Sequence, residues 1–355
     1  MKKYLLTLLS VILFASASAF SQTLDYEKLA PHPRLLLKKG DITAMKEFCD
    51  RSDNAKEVHN RIISTADGYL SAMPVTRQMT GRRLLQVSRE ALKRIFYLSY
   101  AYLTTEDVRY AARAEREMLA ICEFEDWNPS HFLDVGEMTM ALAIGYDWLY
   151  RYLPVHSRSI IGTAIYEKGL RASENDKQAW FFKSDNNWNQ VCNAGMIYGA
   201  LATMERAPEY CKPLIAKCIE SNPIAQKCYE PDGGYPEGFG YWDYGTGFEV
   251  MLVAALQSAL GTDAGIASQQ SFLRSATYMT YMLSNVVTGG TGTYAKLDRG
   301  MPAAAKTGTS NFSDSIMKKR FTACLQGLFI HIVSKRTSKK KMKGRTTGRR
   351  DMAVF

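Results

Sequence analysis

Residues 84–104 read LLQVSREALKRIFYLSYAYLT, and apolar side chains recur in this stretch at intervals of three or four. The members of this stripe are Leu84, Val87, Ala91, Ile95, Leu98 and Tyr102. Apolar residues with this spacing lie on one face of an α-helix, so the stretch predicts an amphipathic helix. Before residue 286 the sequence has no alternating run rich in Val, Ile and Thr, which is the pattern of a strand. The body of the chain is therefore predicted to be all-α.

The same helical spacing recurs along the chain and predicts ten helices. We expect them at residues 41–51, 55–73, 84–104, 106–124, 133–153, 156–173, 188–206, 207–229, 241–260 and 264–287. The first is expected to begin at Asp41, because an aspartate side chain can cap the free N–H groups at a helix start.

Three of these helices, which begin near Leu133, Trp188 and Tyr241, are rich in Ala, Gly and Met and carry few charges. Helices that are apolar on nearly all sides are buried, whereas the helices between these three are more polar. Their starts lie 55 and 53 residues apart, about one helical hairpin each. The alternation predicts an (α/α) toroid, a ring of helical hairpins in which the loops before the inner helices share one end.

Both ends of the chain differ from this helical body. Residues 1–19 combine two lysines, a short apolar run and a small-residue cleavage site ending at Ala19, which is typical of a secretory signal peptide. We therefore expect an exported protein, periplasmic or secreted, whose toroid occupies residues 23–287. No later run predicts a membrane span, since the nearest candidate, 321–333, has only 13 residues. Residues 288–355 predict an irregular basic tail.

The charge is concentrated in that tail. The formal net charge is +10, but 12 of the 45 Lys and Arg residues follow Met317 with only one acid, Asp351. The remaining chain carries 33 basic and 34 acidic residues, so its net charge is −1. A nucleic-acid partner is therefore not predicted, because such proteins carry a basic surface on the folded domain. The oligomeric state is left open.

The seven cysteines predict no metal site, because none of them forms a CxxC pair. In an exported protein disulfides are possible. Cys211 and Cys218, seven residues apart on one predicted helix, lie about 10 Å apart and cannot bridge each other. No cofactor is predicted from any other motif.

The loop before the second inner helix is dense in amides. Residues 184–193 read SDNNWNQVCN, with four Asn, one Gln and one Trp. One Asn, at Asn186 or Asn187, could simply cap the helix, but capping does not explain the others. Side-chain amides offer donors to a carboxylate or hydroxyl, and Trp188 offers a flat face to a sugar ring. This loop predicts a carbohydrate-binding site.

The loops before the other two inner helices combine aromatic and polar residues in the same way. Residues 232–245 read DGGYPEGFGYWDYG, and residues 127–137 read WNPSHFLDVGE. The alternative for the first is a structural loop whose aromatic residues fill the interior. In the second, Ser130 could serve as a helix cap, and His131 is more commonly structural than catalytic.

Taken together, these segments resemble the heparinase II/III-like polysaccharide lyases. The resemblance rests on HPRLLL at 32–37, NNWNQ at 186–190, YPEG at 235–238 and YWDYG at 241–245, and it covers roughly residues 30–290. It implies an (α/α) toroid followed by antiparallel β-sandwich layers. The tail at 288–355 lacks a strand pattern, so the β-sandwich is expected to be missing and the activity to be impaired by truncation or a lost reading frame. It also implies β-elimination on an acidic, uronic-acid polysaccharide, in the periplasm rather than fully secreted.

The resemblance implies roles for particular residues. Asn187 would neutralise the uronate carboxylate, and Tyr244 would remove the C5 proton or protonate the leaving oxygen, with Tyr241 as the second candidate. Substrate-binding residues would be Asn186, Trp188, Asn189, Gln190, Glu237, Trp242, His131 and Trp127. Relatives often have Asn-His where this chain has Asn187-Trp188, and the family's β-domain histidine has no convincing counterpart, since His331 lies in the tail.

The chemistry suits these residue types. Amide hydrogen bonds can stabilise the negative charge that develops when a proton leaves beside a carboxylate. A tyrosine base needs its pKa lowered from about 10, for which Arg82, Arg83, Arg89 or Arg94 could supply positive charge. This route requires no metal.

Three alternatives stay open. An α/α-barrel glycoside hydrolase would use two carboxylates, for which Asp134, Asp147, Asp185 and Asp243 are available. A C5-epimerase would share the first proton abstraction without cutting the chain. A non-catalytic glycan-binding protein would use the same aromatic loops without chemistry.

Overall fold

The computed structural model of this protein describes residues 24–277, and in this range it is all-α, as predicted. The helices are α1 Lys39–Arg51, α2 Asp53–Leu70, α3 Leu85–Thr105, α4 Val108–Cys122, α5 Leu133–Trp148, α6 Val155–Ala164, α7 Asn187–Ala202, α8 Pro208–Gln226 and α9 Phe239–Leu260. The signal peptide predicted at 1–19 and the tail predicted at 288–355 lie outside the described residues.

The helices alternate between two kinds of position. Helices α3, α5, α7 and α9 form a row in which each member packs against the next, while α4, α6 and α8 pack beside that row. Every residue of α5 is buried, and only Trp188 of α7 is not. The predicted alternation of inner and outer helices is therefore observed. Closure of this row into a toroid stays a prediction.

Small residues explain how α5 and α7 approach so closely. A Cβ atom placed on Gly195 of α7 would lie 2.2 Å from the backbone oxygen of Gly136 in α5. The two backbones therefore touch at a point where neither helix has a side chain. Bulkier residues at these positions would separate the helices and leave voids in the core.

Some predicted helix boundaries are wrong. Helix α1 begins before Asp41, whose carboxylate lies in the first turn and accepts from the backbone N of Lys38 (2.9 Å). The helix predicted at 264–287 does not begin at Ala264, because Ala264 and Gly265 have left-handed φ values of 52° and 81°. A short 3₁₀ turn, Ile266–Ser268, follows, and regular helix resumes only at residue 270.

The HPRLLL segment fastens the N-terminal part of the chain to the C-terminal end of α5. The buried carboxylate of Asp147 accepts hydrogen bonds from the backbone N–H groups of Arg34 (2.9 Å) and Leu35 (2.8 Å) and contacts His32 Nδ1 (2.5 Å). Arg34 in turn donates to Glu205, just beyond α7 (2.6 and 2.7 Å). These structural contacts lie at the C-terminal ends of α5 and α7. We therefore place the candidate site at the opposite, N-terminal ends of the inner helices.

In the described part of the chain, none of the helices combines the length and the apolar character that a membrane crossing requires. The six cysteines in that part, Cys49, Cys122, Cys192, Cys211, Cys218 and Cys228, are all free.

Candidate functional site

Polar side chains lie near the N-terminal ends of four consecutive inner helices. They are Arg89 in α3, Glu137 in α5, Asn187 in α7 and Tyr244 in α9, each within the first two turns of its helix. Because these helices pack in a row, their N-terminal ends supply side chains to one surface. The N-terminal end of a helix also favours negatively charged groups, since its free N–H groups point outward.

Tyr244 is the centre of the tightest contacts at this surface. Its hydroxyl donates to Oε1 of Glu137 (2.5 Å), and Arg89 Nε donates to the same oxygen (3.2 Å). The Arg89 guanidinium also lies over the Tyr244 ring, 4.8 Å from its centroid. Glu137 is buried, whereas 46 % of the Arg89 side chain is exposed. The three side chains form a triad of phenol, carboxylate and guanidinium.

The pKa values within the triad differ from the expectation of an activated tyrosine. Burial and the Glu137 carboxylate raise the pKa of Tyr244 well above its usual value, and Arg89 only partly opposes them. Burial likewise raises the pKa of Glu137, against the lowering effect of Arg89. Arg89 thus acts in the expected direction, but burial and Glu137 outweigh it, so the pKa of Tyr244 is not lowered in the free protein and Tyr244 is a phenol at neutral pH.

Asn187 lies close to the residue that follows Tyr244, since a Cβ atom on Gly245 would lie 3.1 Å from Asn187 Cβ. Its Nδ2 donates to the carboxylate of Glu237, an exposed residue in the loop before α9 (3.2 Å). The side chain of Asn186 caps α7 by accepting from the backbone N of Trp188 (3.0 Å), so the plain capping role falls to Asn186 and leaves Asn187 free of it. Asn187 is 3 % exposed and already holds a carboxylate.

Buried polar side chains pack against the chain near Asn187 and Tyr244. Gln190 Nε2 donates to the hydroxyl of Tyr229 (2.8 Å), and Tyr235 donates to Gln190 Oε1 (3.5 Å). A Cβ atom on Gly245 would meet Gln190 Oε1 at 2.3 Å and Asn187 Cβ at 3.1 Å. Gln190 is fully buried, so it supports the site through these contacts.

Several residues predicted to bind substrate make buried structural contacts instead. Asn189 is fully buried and donates to Ser221 in α8 (2.9 Å), and Asn193 donates to both of them. Trp127 is fully buried and donates to Ile121 O (3.4 Å). Trp242 is 5 % exposed and its indole N–H donates to Ser275. The structure does not bring these side chains to the surface around Tyr244.

Aromatic side chains flank the site on the Asn187 side. Trp188 packs against Trp180 with ring centroids 4.6 Å apart and the rings tilted by 36°, and its other aromatic contact is His131 (4.9 Å, edge to face). His131 is buried and held by Asp134 through its Nδ1 (2.7 Å). Ser130 hydrogen bonds to Asn128 Oδ1 (2.8 Å) rather than capping α5. Tyr241, the second candidate tyrosine, is 51 % exposed.

No role was predicted for Trp180 or for Glu137, although Glu137 ends the 127–137 segment, and Arg89 was one of four arginines considered. Glu137 is an acid within an otherwise apolar inner helix, and that unusual position was the available signal. Trp180 precedes the SDNNWNQVCN segment, and no local pattern distinguishes it from a core tryptophan.

Two of the four aspartates considered for a hydrolase, Asp134 and Asp147, do not form a catalytic pair. Asp134 and Asp147 are 13 residues apart on α5, or about 20 Å along the helix, which is too far for two carboxylates that act on one glycosidic bond. Asp134 also accepts from Leu84 N (2.6 Å) and Asn128 Nδ2 (2.6 Å), and is fully buried.

Among residues 24–277, no three His, Cys, Asp or Glu side chains are grouped so as to hold a metal ion. In comparisons with known proteins, no family model and no curated protein matches the chain.

Proposed function

We propose that this protein is a polysaccharide lyase that cleaves uronic-acid-containing glycans by β-elimination. The observation that carries the proposal is the Tyr244–Glu137–Arg89 triad beside Asn187, at the shared N-terminal end of the inner helices. Together with the sequence resemblance, this arrangement supports closure of the helices into an (α/α) toroid whose open end holds the glycan.

The substrate carboxylate would bind Asn187 and Arg89. Asn187 Nδ2 already donates to the Glu237 carboxylate, which supports a role in binding the carboxylate of a substrate in place of Glu237. The exposed part of the Arg89 guanidinium adds a positive charge with planar donors suited to a carboxylate. Neutralising the uronate in this way makes its C5 proton more acidic, because the developing charge on the carboxylate is stabilised.

Tyr244 and Glu137 would then transfer the proton. As the Tyr244 oxygen takes the C5 proton, its own proton moves to Glu137, whose raised pKa makes it a better acceptor than an ordinary carboxylate. Tyr244 next gives the C5 proton to the glycosidic oxygen at C4 as that bond breaks and the C4–C5 double bond forms. Glu137 finally returns its proton to the tyrosinate, and the enzyme is restored.

The test is ultraviolet absorbance of the unsaturated product during incubation with heparosan, chondroitin, dermatan and alginate. We expect a rising signal with one of these polymers and its loss in Tyr244→Phe, with glycan binding retained. Tyr241→Phe separates the two tyrosine candidates, since loss of activity there instead would move the catalytic role to Tyr241. A flat trace with a folded protein that binds glycan would favour the non-catalytic alternative.

A glycoside hydrolase is a second candidate, for which the two glutamates at the site provide the specific support. Glu137 contacts Tyr244 and Glu237 contacts Asn187, so two carboxylates of different exposure flank the same surface. Release of reducing ends without an ultraviolet signal would favour hydrolysis. Exchange of the C5 hydrogen with solvent deuterium, without chain cleavage, would favour the epimerase.

A further inference from the structure

The aromatic pair beside the site has a side chain that the fold leaves uncovered. Trp180 is 45 % exposed, and its ring lies at 36° to that of Trp188, which is itself only partly buried. Fully burying a large apolar side chain is worth about 1.5–3 kcal/mol, so a ligand that covered the Trp180 ring would gain part of that energy.

The position of Trp180 is fixed by its neighbours in the chain. Phe181 is fully buried and packs on Phe132 (4.6 Å between centroids), and Phe182 is 7 % exposed beneath Lys217. These two anchors hold the short 3₁₀ helix Trp180–Lys183 in place. Trp180 therefore projects from a rigid segment, and binding on its ring costs little conformational entropy.

The residues that follow Trp180 in the chain indicate what kind of ligand its ring would bind. Lys183 and Asp185 are exposed, and Ser184 donates to the half-buried Asn186 (2.9 Å). A flat apolar face on a segment that also exposes charged side chains suits a pyranose ring, which has an apolar C–H face and a rim of hydroxyls.

We propose that Trp180, supported by Trp188, is a sugar-binding subsite separate from the reacting residues, which stacks against a pyranose ring of the same glycan chain. The inference deepens the proposed function and rests on it for the uronate substrate. Trp188 follows Asn187 directly in α7, so their Cα atoms are about 3.8 Å apart, and a glycan chain of several sugars is long enough to reach both side chains although they point in different directions. The subsite would contribute affinity and leave the chemical step unchanged.

The experiment is titration calorimetry with hexasaccharides of heparosan, chondroitin and alginate, and with cellohexaose as a neutral glycan. We expect Trp180→Ala to weaken binding about tenfold and Trp180→Phe to weaken it less, because phenylalanine keeps part of the stacking face. Phe48→Ala, which removes an exposed aromatic ring from α1 (57 % exposed), is the matched control and should bind as the native protein does. Circular dichroism establishes that each variant is folded.

The outcomes separate the subsite from the lyase activity. With an active substrate, Trp180→Ala should raise KM and leave kcat unchanged. If the native protein binds only cellohexaose, and binding still depends on Trp180, the subsite stands while the uronate lyase function fails. If Trp180→Ala binds as tightly as the native protein, or the native protein binds none of the four glycans, the subsite is overturned.

Discussion

The hydroxyl of Tyr244 lies 2.5 Å from Oε1 of Glu137, a buried carboxylate 107 residues earlier in the chain. A bond this short between a phenol and a carboxylate is strong, because the acceptor is charged and water is largely excluded. It fixes the tyrosine oxygen in space and gives its proton a defined destination. Glu137 is therefore the residue through which Tyr244 could act as both base and acid.

Glu137→Gln tests this relationship. Glutamine can still accept the tyrosine hydrogen bond but cannot take up its proton, so we expect the elimination rate at saturating substrate to fall about 100-fold or more. The native rate should also decline at acid pH as Glu137 becomes protonated, above the usual carboxylate range because its pKa is raised. That decline should disappear in the variant.

The control is Glu209→Gln, which changes an exposed glutamate in α8 and should preserve both rate and pH profile. Calorimetry with a substrate oligosaccharide shows whether binding is retained. A variant at position 137 that keeps the native rate and the native acid limb would contradict the proton-transfer role.

From the sequence we could predict which helix starts carry the polar residues, but only some of the side chains that lie together there. Buried inner helices and their polar loops were readable because composition follows burial, and this placed Asn187 and Tyr244 at helix starts. Residues 241, 242 and 244 were all predicted as site residues, but successive helical residues point about 100° apart, so Trp242 and Tyr244 cannot face one surface together, whereas Tyr241 and Tyr244 can. Trp242 consequently faces Ser275 while Tyr244 faces Glu137.

Other parts of the site depend on contacts that no local pattern contains. Asn189 and Asn193 are four residues apart, which places them on one helix face, and that face turned out to be directed at Ser221. The triad joins residues from three helices. The raised pKa of Tyr244 follows from burial and from Glu137, neither of which a sequence displays.

Asp147→Asn should destabilise the fold without altering the residues around Tyr244. The buried carboxylate accepts two backbone N–H groups and a histidine, and lies 3.9 Å from the Arg34 guanidinium. Removing its charge leaves Arg34 less well compensated, so we expect a loss of about 3 kcal/mol in the free energy of unfolding. Urea denaturation measures it, and the exposed Asp176→Asn should cost almost nothing. Equal stability of the two variants would refute the fastening role of HPRLLL.

Glu249→Gln should remove a pH dependence of stability. Glu249 is fully buried between the amides of Asn222 (2.9 Å) and Gln226 (2.7 Å), and burial raises its pKa from 4.5 to about 7. Because the folded pKa exceeds the unfolded one, its contribution is greatest below pH 4.5 and is lost as the pH rises through about 7.

The expected loss over that interval is about 3 kcal/mol in the native protein. We therefore expect the difference in unfolding free energy between Glu249→Gln and the native protein to favour the variant increasingly from pH 5 to pH 8. Urea unfolding at several pH values gives this difference directly. A difference that is constant across the range would show that Glu249 does not titrate in the folded state.

Gly195→Ala tests the contact that sets the spacing of α5 and α7. The added Cβ would lie 2.2 Å from the backbone oxygen of Gly136, and backbone cannot rotate away as a side chain can. The helices would have to separate, so we expect a loss of about 3 kcal/mol or more in the free energy of unfolding.

Gly68→Ala in α2 is the matched control, since nothing lies within 4 Å of its added Cβ. There the better helix propensity of alanine should add about 0.5 kcal/mol. Because α5 and α7 carry Glu137 and Asn187, even a folded Gly195→Ala protein should lose elimination activity, whereas Gly68→Ala should retain it.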